Sequence, residues 1–79
     1  MDREMDLIKV RAELQTRAEV LRIVDIFRAK VVDVSPHFYT LEVTGNEGKI
    51  TAIMELLGQI GIVEVARTGK AALARSKKY

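Results

Sequence analysis

Cysteine and tryptophan are absent from this chain of 79 residues, which has one proline and one histidine. Without cysteine there is no disulfide staple and no thiolate for redox or metal chemistry. The single histidine, His37, has no second imidazole or thiol with which to complete a metal site inside one chain. Long apolar runs are missing too. Nothing approaches the roughly 20 residues of a membrane span, and the charged start, Met1 to Asp6, has no apolar segment of the signal-peptide kind. These features read as a cytoplasmic protein with no membrane contact. Acidic residues are missing after position 64, where five of the thirteen bases fall: Arg67, Lys70, Arg75, Lys77 and Lys78. No aromatic residues interleave with those bases, so the tail reads as a solvated end, and no nucleic-acid partner is expected.

A catalytic constellation is missing as well. Asp33, Ser35 and His37 are near neighbours in sequence, with no fold context that aligns them as a nucleophile, base and orienting acid. The acids are spread along the chain, and no pair stands out as a general acid and base. Gly45-Asn46-Glu47-Gly48-Lys49 sets glycines and a lysine before a helix, but without the Walker spacing. It reads as a turn leading into a helix N-terminus that could take a small anion. No catalytic, cofactor-binding or metal-binding residue is expected.

What is present is pattern. Residues 5–14 alternate, with Ile8, Val10, Ala12 and Leu14 on one face and Lys9, Arg11 and Glu13 on the other, the period of a half-buried strand. Thr16-Arg17-Ala18-Glu19 fits a capping box, in which Thr16 and Glu19 exchange bonds with each other's backbone. The helix it opens carries Val20, Ile23, Val24 and Phe27 at i, i+3, i+4 and i+7, with Phe27 expected deep in the core. Leu21 and Ile26 flank that stripe and are expected to cover the rim of the core or a partner. A second strand, 30–34, and a third, 38–44, flank a Ser35-Pro36 turn, and Tyr39, Leu41 and Val43 form the core face of the third. A second helix, started by Asn46 or Glu47, repeats the apolar quartet at Ile50, Ile53, Met54 and Leu57, thirty residues after the first, and ends near Gly58 and Gly61. The last strand, 62–68, sets Val63 and Val65 against Glu64 and Ala66, and residues 71–74 extend it after a bend at Gly69.

The chain therefore reads as two βαβ units in tandem, forming one domain over residues 1–79. The expected fold is a ferredoxin-like βαββαβ plait, ACT-like, with a four-stranded antiparallel sheet in the order 4-1-3-2 and both helices on one face. A domain this small buries only roughly 60–65% of its unfolded surface. Its second and fourth strands are edges, and Asp33 alone discourages pairing along the second. Association into a homo-oligomer, most simply a dimer, is expected.

The segments Asp25-Ile-Phe-Arg-Ala-Lys-Val-Val-Asp-Val-Ser-Pro36, Tyr39-Thr-Leu-Glu-Val-Thr-Gly45, Gly48-Lys-Ile50 and Gly61-Ile-Val-Glu-Val-Ala-Arg-Thr-Gly69 resemble the C-terminal domain of the acetolactate synthase small, regulatory subunit. The similarity runs from about Arg3 to Arg75. The resemblance implies a non-catalytic domain whose partner is the large catalytic subunit, which carries thiamine diphosphate. It implies a part in activating that subunit and in coupling it to feedback inhibition in branched-chain amino acid synthesis. The family's N-terminal ACT half, associated with effector binding, is expected to be missing from this chain, so no effector residues carry over. A stand-alone ACT-like sensing or oligomerisation module is the alternative. Glu64, Arg67 and Gly69 on the last strand are the candidate partner contacts, because an edge strand followed by glycine permits close backbone approach.

Overall fold

The computed structural model describes residues 3–68. The elements run β1 (Glu4–Arg11), α1 (Arg17–Phe27), β2 (Lys30–Val34), β3 (Phe38–Gly45), α2 (Glu47–Ile60) and β4 (Ile62–Thr68). All neighbours in the sheet are antiparallel, in the order β2-β3-β1-β4. This is the ferredoxin-like plait expected from the tandem pattern. The extension over residues 71–74 lies outside the described residues.

Alternation in the central strands builds the floor of the core. Ile8 faces Leu41 across β1 and β3, and Val10 faces Tyr39; all four are buried. Above them α1 contributes Val20 and Ile23, and α2 contributes Ile50, Ile53 and Leu57. At roughly 25 cal/mol per Å² of apolar surface, each such fully buried side chain is worth about 1.5–3 kcal/mol over its exposed state. Val24, Phe27 and Met54 complete the two quartets but are only partly buried.

The helix ends differ from one another. Asn46 caps α2 from an extended conformation, its Oδ1 accepting from Lys49 N at 2.9 Å. At the other end Gly61 takes φ 136°, where a side chain would be strained. Its N–H donates to Leu57 O at 2.9 Å, and its carbonyl accepts from Arg11 N at 2.8 Å. The capping box expected at Thr16 does not form. Thr16 has helical dihedrals (φ −115°, ψ −2°) and makes no side-chain cap bond. A capping side chain needs an extended backbone to reach forward, and here a turn closed on Glu13 O, which accepts from Thr16 N and Arg17 N, has already curled the chain. That early turn also ends β1 at Arg11, so Leu14, expected on the core face, is 80% exposed.

Two bulges change the expected edges. In β4, Ile62 pairs with Val10 and Glu64 with Lys9, leaving Val63 as the extra residue. An extra residue shifts the alternation by one. Ile62 and Val65 thus pack on the core while Val63, expected beside Val65, is exposed. In β2 the pairing skips Val32 in the same way, and Val32 and Val34 are exposed on that edge. Leu21 and Ile26 are exposed on α1 and do not seal the rim.

Candidate functional site

One sheet face is closed by the helices and the other is open. On the open face Lys9 and Arg11 of β1 flank the ring of Phe38, the Lys9 ammonium 5.1 Å and the Arg11 guanidinium 5.6 Å from its centroid. Cation–π contacts of this kind hold the two bases flat on the sheet. Beside them Leu7, Lys9, Thr40, Glu64 and Ala66 line a shallow depression of about 250 Å³. The walls mix one carboxylate, one ammonium, one hydroxyl and two apolar side chains.

At the upper end of the sheet the β2–β3 turn is tied to the entrance of α1. Arg17 donates to Ala12 O at 3.2 Å and to Pro36 O at 3.0 Å, and Ala12 N donates to His37 O at 2.8 Å. The His37 Nδ1 lies 3.0 Å from Glu13 Oε1. That hydrogen bond, more than any nearby charge, holds the Glu13 carboxyl below its ordinary range. His37 is thus engaged by a carboxylate on an exposed turn. Among the described residues no group of three or more His, Cys, Asp and Glu side chains could hold a metal ion.

At the lower end lies the least expected group. Asp6 is two residues before Ile8, on the core face, and is completely buried. Arg67 is its register partner on β4. The guanidinium donates to Glu4 Oε2 from Nη2 at 3.0 Å and from Nε at 3.3 Å, and its Nε stands 3.4 Å from Asp6 Oδ2. That last contact is an ion pair without hydrogen-bond geometry: neither Asp6 oxygen has a hydrogen-bond partner among the described residues. Burial, then the neighbouring Glu4 carboxylate, push the Asp6 carboxyl up to about 6, against the pull of Arg67. Glu4 moves the other way, lowered first by Asp6 and then by Arg67.

The candidate contacts on β4 are therefore split. Glu64 stands exposed on the open face, opposite Lys9, whereas Arg67 turns to the helix side and is engaged by Glu4 and Asp6. Gly69 lies outside the described residues. Asp6 itself escaped the sequence reading, although the signal was there: Glu4, Asp6, Ile8 and Val10 share one parity, and so do Val65 and Arg67.

The family model described as "Small subunit of acetolactate synthase" matches residues 3–76. The chain is 59% identical over 76 residues to an acetolactate synthase small subunit of Aquifex aeolicus, covering 95% of this chain and 40% of that protein. It is 52% identical over 77 residues to acetolactate synthase small subunit 1, chloroplastic, of Nicotiana plumbaginifolia, covering 98% of this chain and 17% of that protein. A crystal structure of an acetolactate synthase small subunit from Thermotoga maritima superposes with a TM-score of 0.81 at 43% identity, over 87% of this chain and 42% of that one. The chain spans less than half the length of each of these relatives. No helix among the described residues is long and apolar enough to cross a membrane. On the extent of these matches, and on the shared plait, the chain belongs to the acetolactate synthase small-subunit family.

Proposed function

We propose that this chain is a non-catalytic regulatory domain of acetolactate synthase, one that binds the catalytic large subunit in the cytoplasm and helps to activate it. The observation that carries the reading is the family match across residues 3–76. The domain takes part in coupling the synthase to feedback control in branched-chain amino acid synthesis and acts as a homo-oligomer, most simply a dimer. Its surfaces suit such work. The open face offers Glu64 beside Lys9, with Lys9 and Arg11 flanking Phe38, and the edge strand β2 offers Val32 and Val34. Contact with the large subunit runs along β4, where Glu64 meets the partner directly and Arg67 keeps the strand in place, with Gly69 a further candidate contact. Coupling between subunits requires contacts that differ between the active and inhibited states, and an edge strand with one exposed face is able to change partners.

Co-purification with the large subunit tests this, with synthase turnover measured with and without the chain. The chain alone is expected to show no turnover and no tight valine binding, and to raise the turnover of the large subunit when added to it. Substitution Glu64→Lys is expected to weaken that activation while the far-UV spectrum stays unchanged. Failure of the two proteins to associate at micromolar concentration would overturn the reading.

A further inference from the structure

The lower end of the sheet joins its last strand to the core through a charged group, not an apolar one. Asp6 occupies the position on β1 that continues the buried row of Ile8 and Val10, yet it carries a carboxyl with no hydrogen-bond donor among the described residues. Arg67 is more than half exposed, and its Nε lies 3.4 Å from the fully buried carboxyl. The same guanidinium walls a depression of about 270 Å³ with Ile50, Thr51, Met54 and Glu55 of α2. Two carboxyls, Glu4 and Asp6, therefore face one guanidinium, so one negative charge at this spot is left unmatched unless a proton is shared. The other strand beside Asp6 presents the uncharged Val43, and from α2 Glu47 acts on Arg67. Lys49 lays its stem over Gly45, the register partner of Glu4.

We propose that Glu4, Asp6 and Arg67 form a proton-controlled clamp on β4, closed while the two carboxyls hold one proton between them and loosened when that proton leaves. In the closed form Asp6 is neutral and donates to Glu4, while Glu4 is charged and accepts both bonds from Arg67. Deprotonation puts a second negative charge into a site that water reaches only if Arg67 and the end of β4 move away. The burial cost of an unmatched charge is what drives that movement.

The direction with pH follows from linkage. Asp6 binds its proton more tightly in the folded chain than in the unfolded one, so its charge disfavours the folded form. That penalty grows as pH rises from the ordinary value of 3.8 to about 6 and is complete above it. Glu4 works oppositely: its contribution is present above its ordinary 4.5 and is lost as pH falls through its lowered folded value. The clamp is thus tightest in mildly acid solution, where Glu4 is charged and Asp6 is not.

The test is a carboxyl ¹³C titration of the intact chain by NMR, together with amide exchange of β4 measured at pH 4.5 and 7.5 and corrected for intrinsic rates. The Asp6 carboxyl is expected to titrate near 6. Opening of β4 relative to α2 is expected to rise about fivefold or more between the two pH values in the wild-type chain and to stay level in Asp6→Asn. In Glu4→Gln the Asp6 midpoint is expected to fall, because the acceptor's charge is gone. An Asp6 midpoint at or below 4 overturns the proposal even if Asp6→Asn fails to fold. So does an Asp6→Asn chain with the same pH dependence of β4 opening as the wild type.

Discussion

The two βαβ halves carry the same apolar quartet and use it unequally. Ile50, Ile53 and Leu57 of α2 are all sealed, and that helix packs on β1, β3 and β4. In α1 the corresponding Val20 and Ile23 are sealed, but Phe27, thirty residues before Leu57, is only partly covered, and Leu21 and Ile26 stand in solvent. The strand lengths account for much of this. The second half closes on β4, seven residues long, whereas the first closes on β2, five residues long. A short edge strand offers less floor, so a helix with the same stripe overhangs it. The capping follows suit, with a side-chain cap on α2 and none on α1. What differs is the surface each stripe meets, not the stripe.

The largest test of that contrast is the pair Leu57→Ala and Phe27→Ala, followed by denaturant unfolding. Leu57→Ala removes a sealed side chain and is expected to cost about 3–4 kcal/mol, in the range for buried leucine truncations. Phe27→Ala removes more atoms but from a half-covered site, and is expected to cost about 1.5–2.5 kcal/mol, below the usual figure for a core phenylalanine. Equal losses, or a larger loss for Phe27, would show that α1 is seated as deeply as α2. The caps come next. Asn46→Ala is expected to lower stability by about 1 kcal/mol, while Thr16→Ala changes it by a few tenths at most, because Thr16 makes no cap bond to lose. Thermal midpoints of the two variants, read against the wild-type chain, decide it. The smallest effect has the opposite sign. Arg28 ends α1 in the left-handed region at φ 56°, its N–H donating to Asp25 O and that of Ala29 to Val24 O. Glycine takes that conformation without the side-chain penalty, so Arg28→Gly is expected to stabilise the chain by about 0.5–1 kcal/mol. A loss of stability on that substitution would mean that the Arg28 side chain makes a contact worth more than the strain.

Most of the architecture was legible because it rests on period. Alternation marked Ile8, Val10, Tyr39, Leu41 and Val43, and the i, i+3, i+4, i+7 spacing marked both helices, since local geometry sends those side chains one way whatever lies opposite. The same rule failed at Val63 and Leu14. A bulge and an early turn reset the phase there, and both are chosen by how neighbouring strands fit, which a single strand's pattern does not encode. The candidate site was legible only in part. That β4 is an edge could be inferred from the strand order, but the division of Glu64 from Arg67 onto opposite faces required the register of β4 on β1.

Residue types and their spacing determined by themselves that this chain makes a four-stranded plait with two covering helices, and excluded thiol chemistry outright. The segments that resemble the small-subunit family were equally legible in one dimension. Only the tertiary structure decided which apolar residues stay in water, that Thr16 caps nothing, and that Arg67 meets Glu4 across 63 residues of chain, beside the buried Asp6. Burial, and the energy of a charge within it, are properties of what surrounds a side chain. They come into being only when strands distant in sequence are laid side by side.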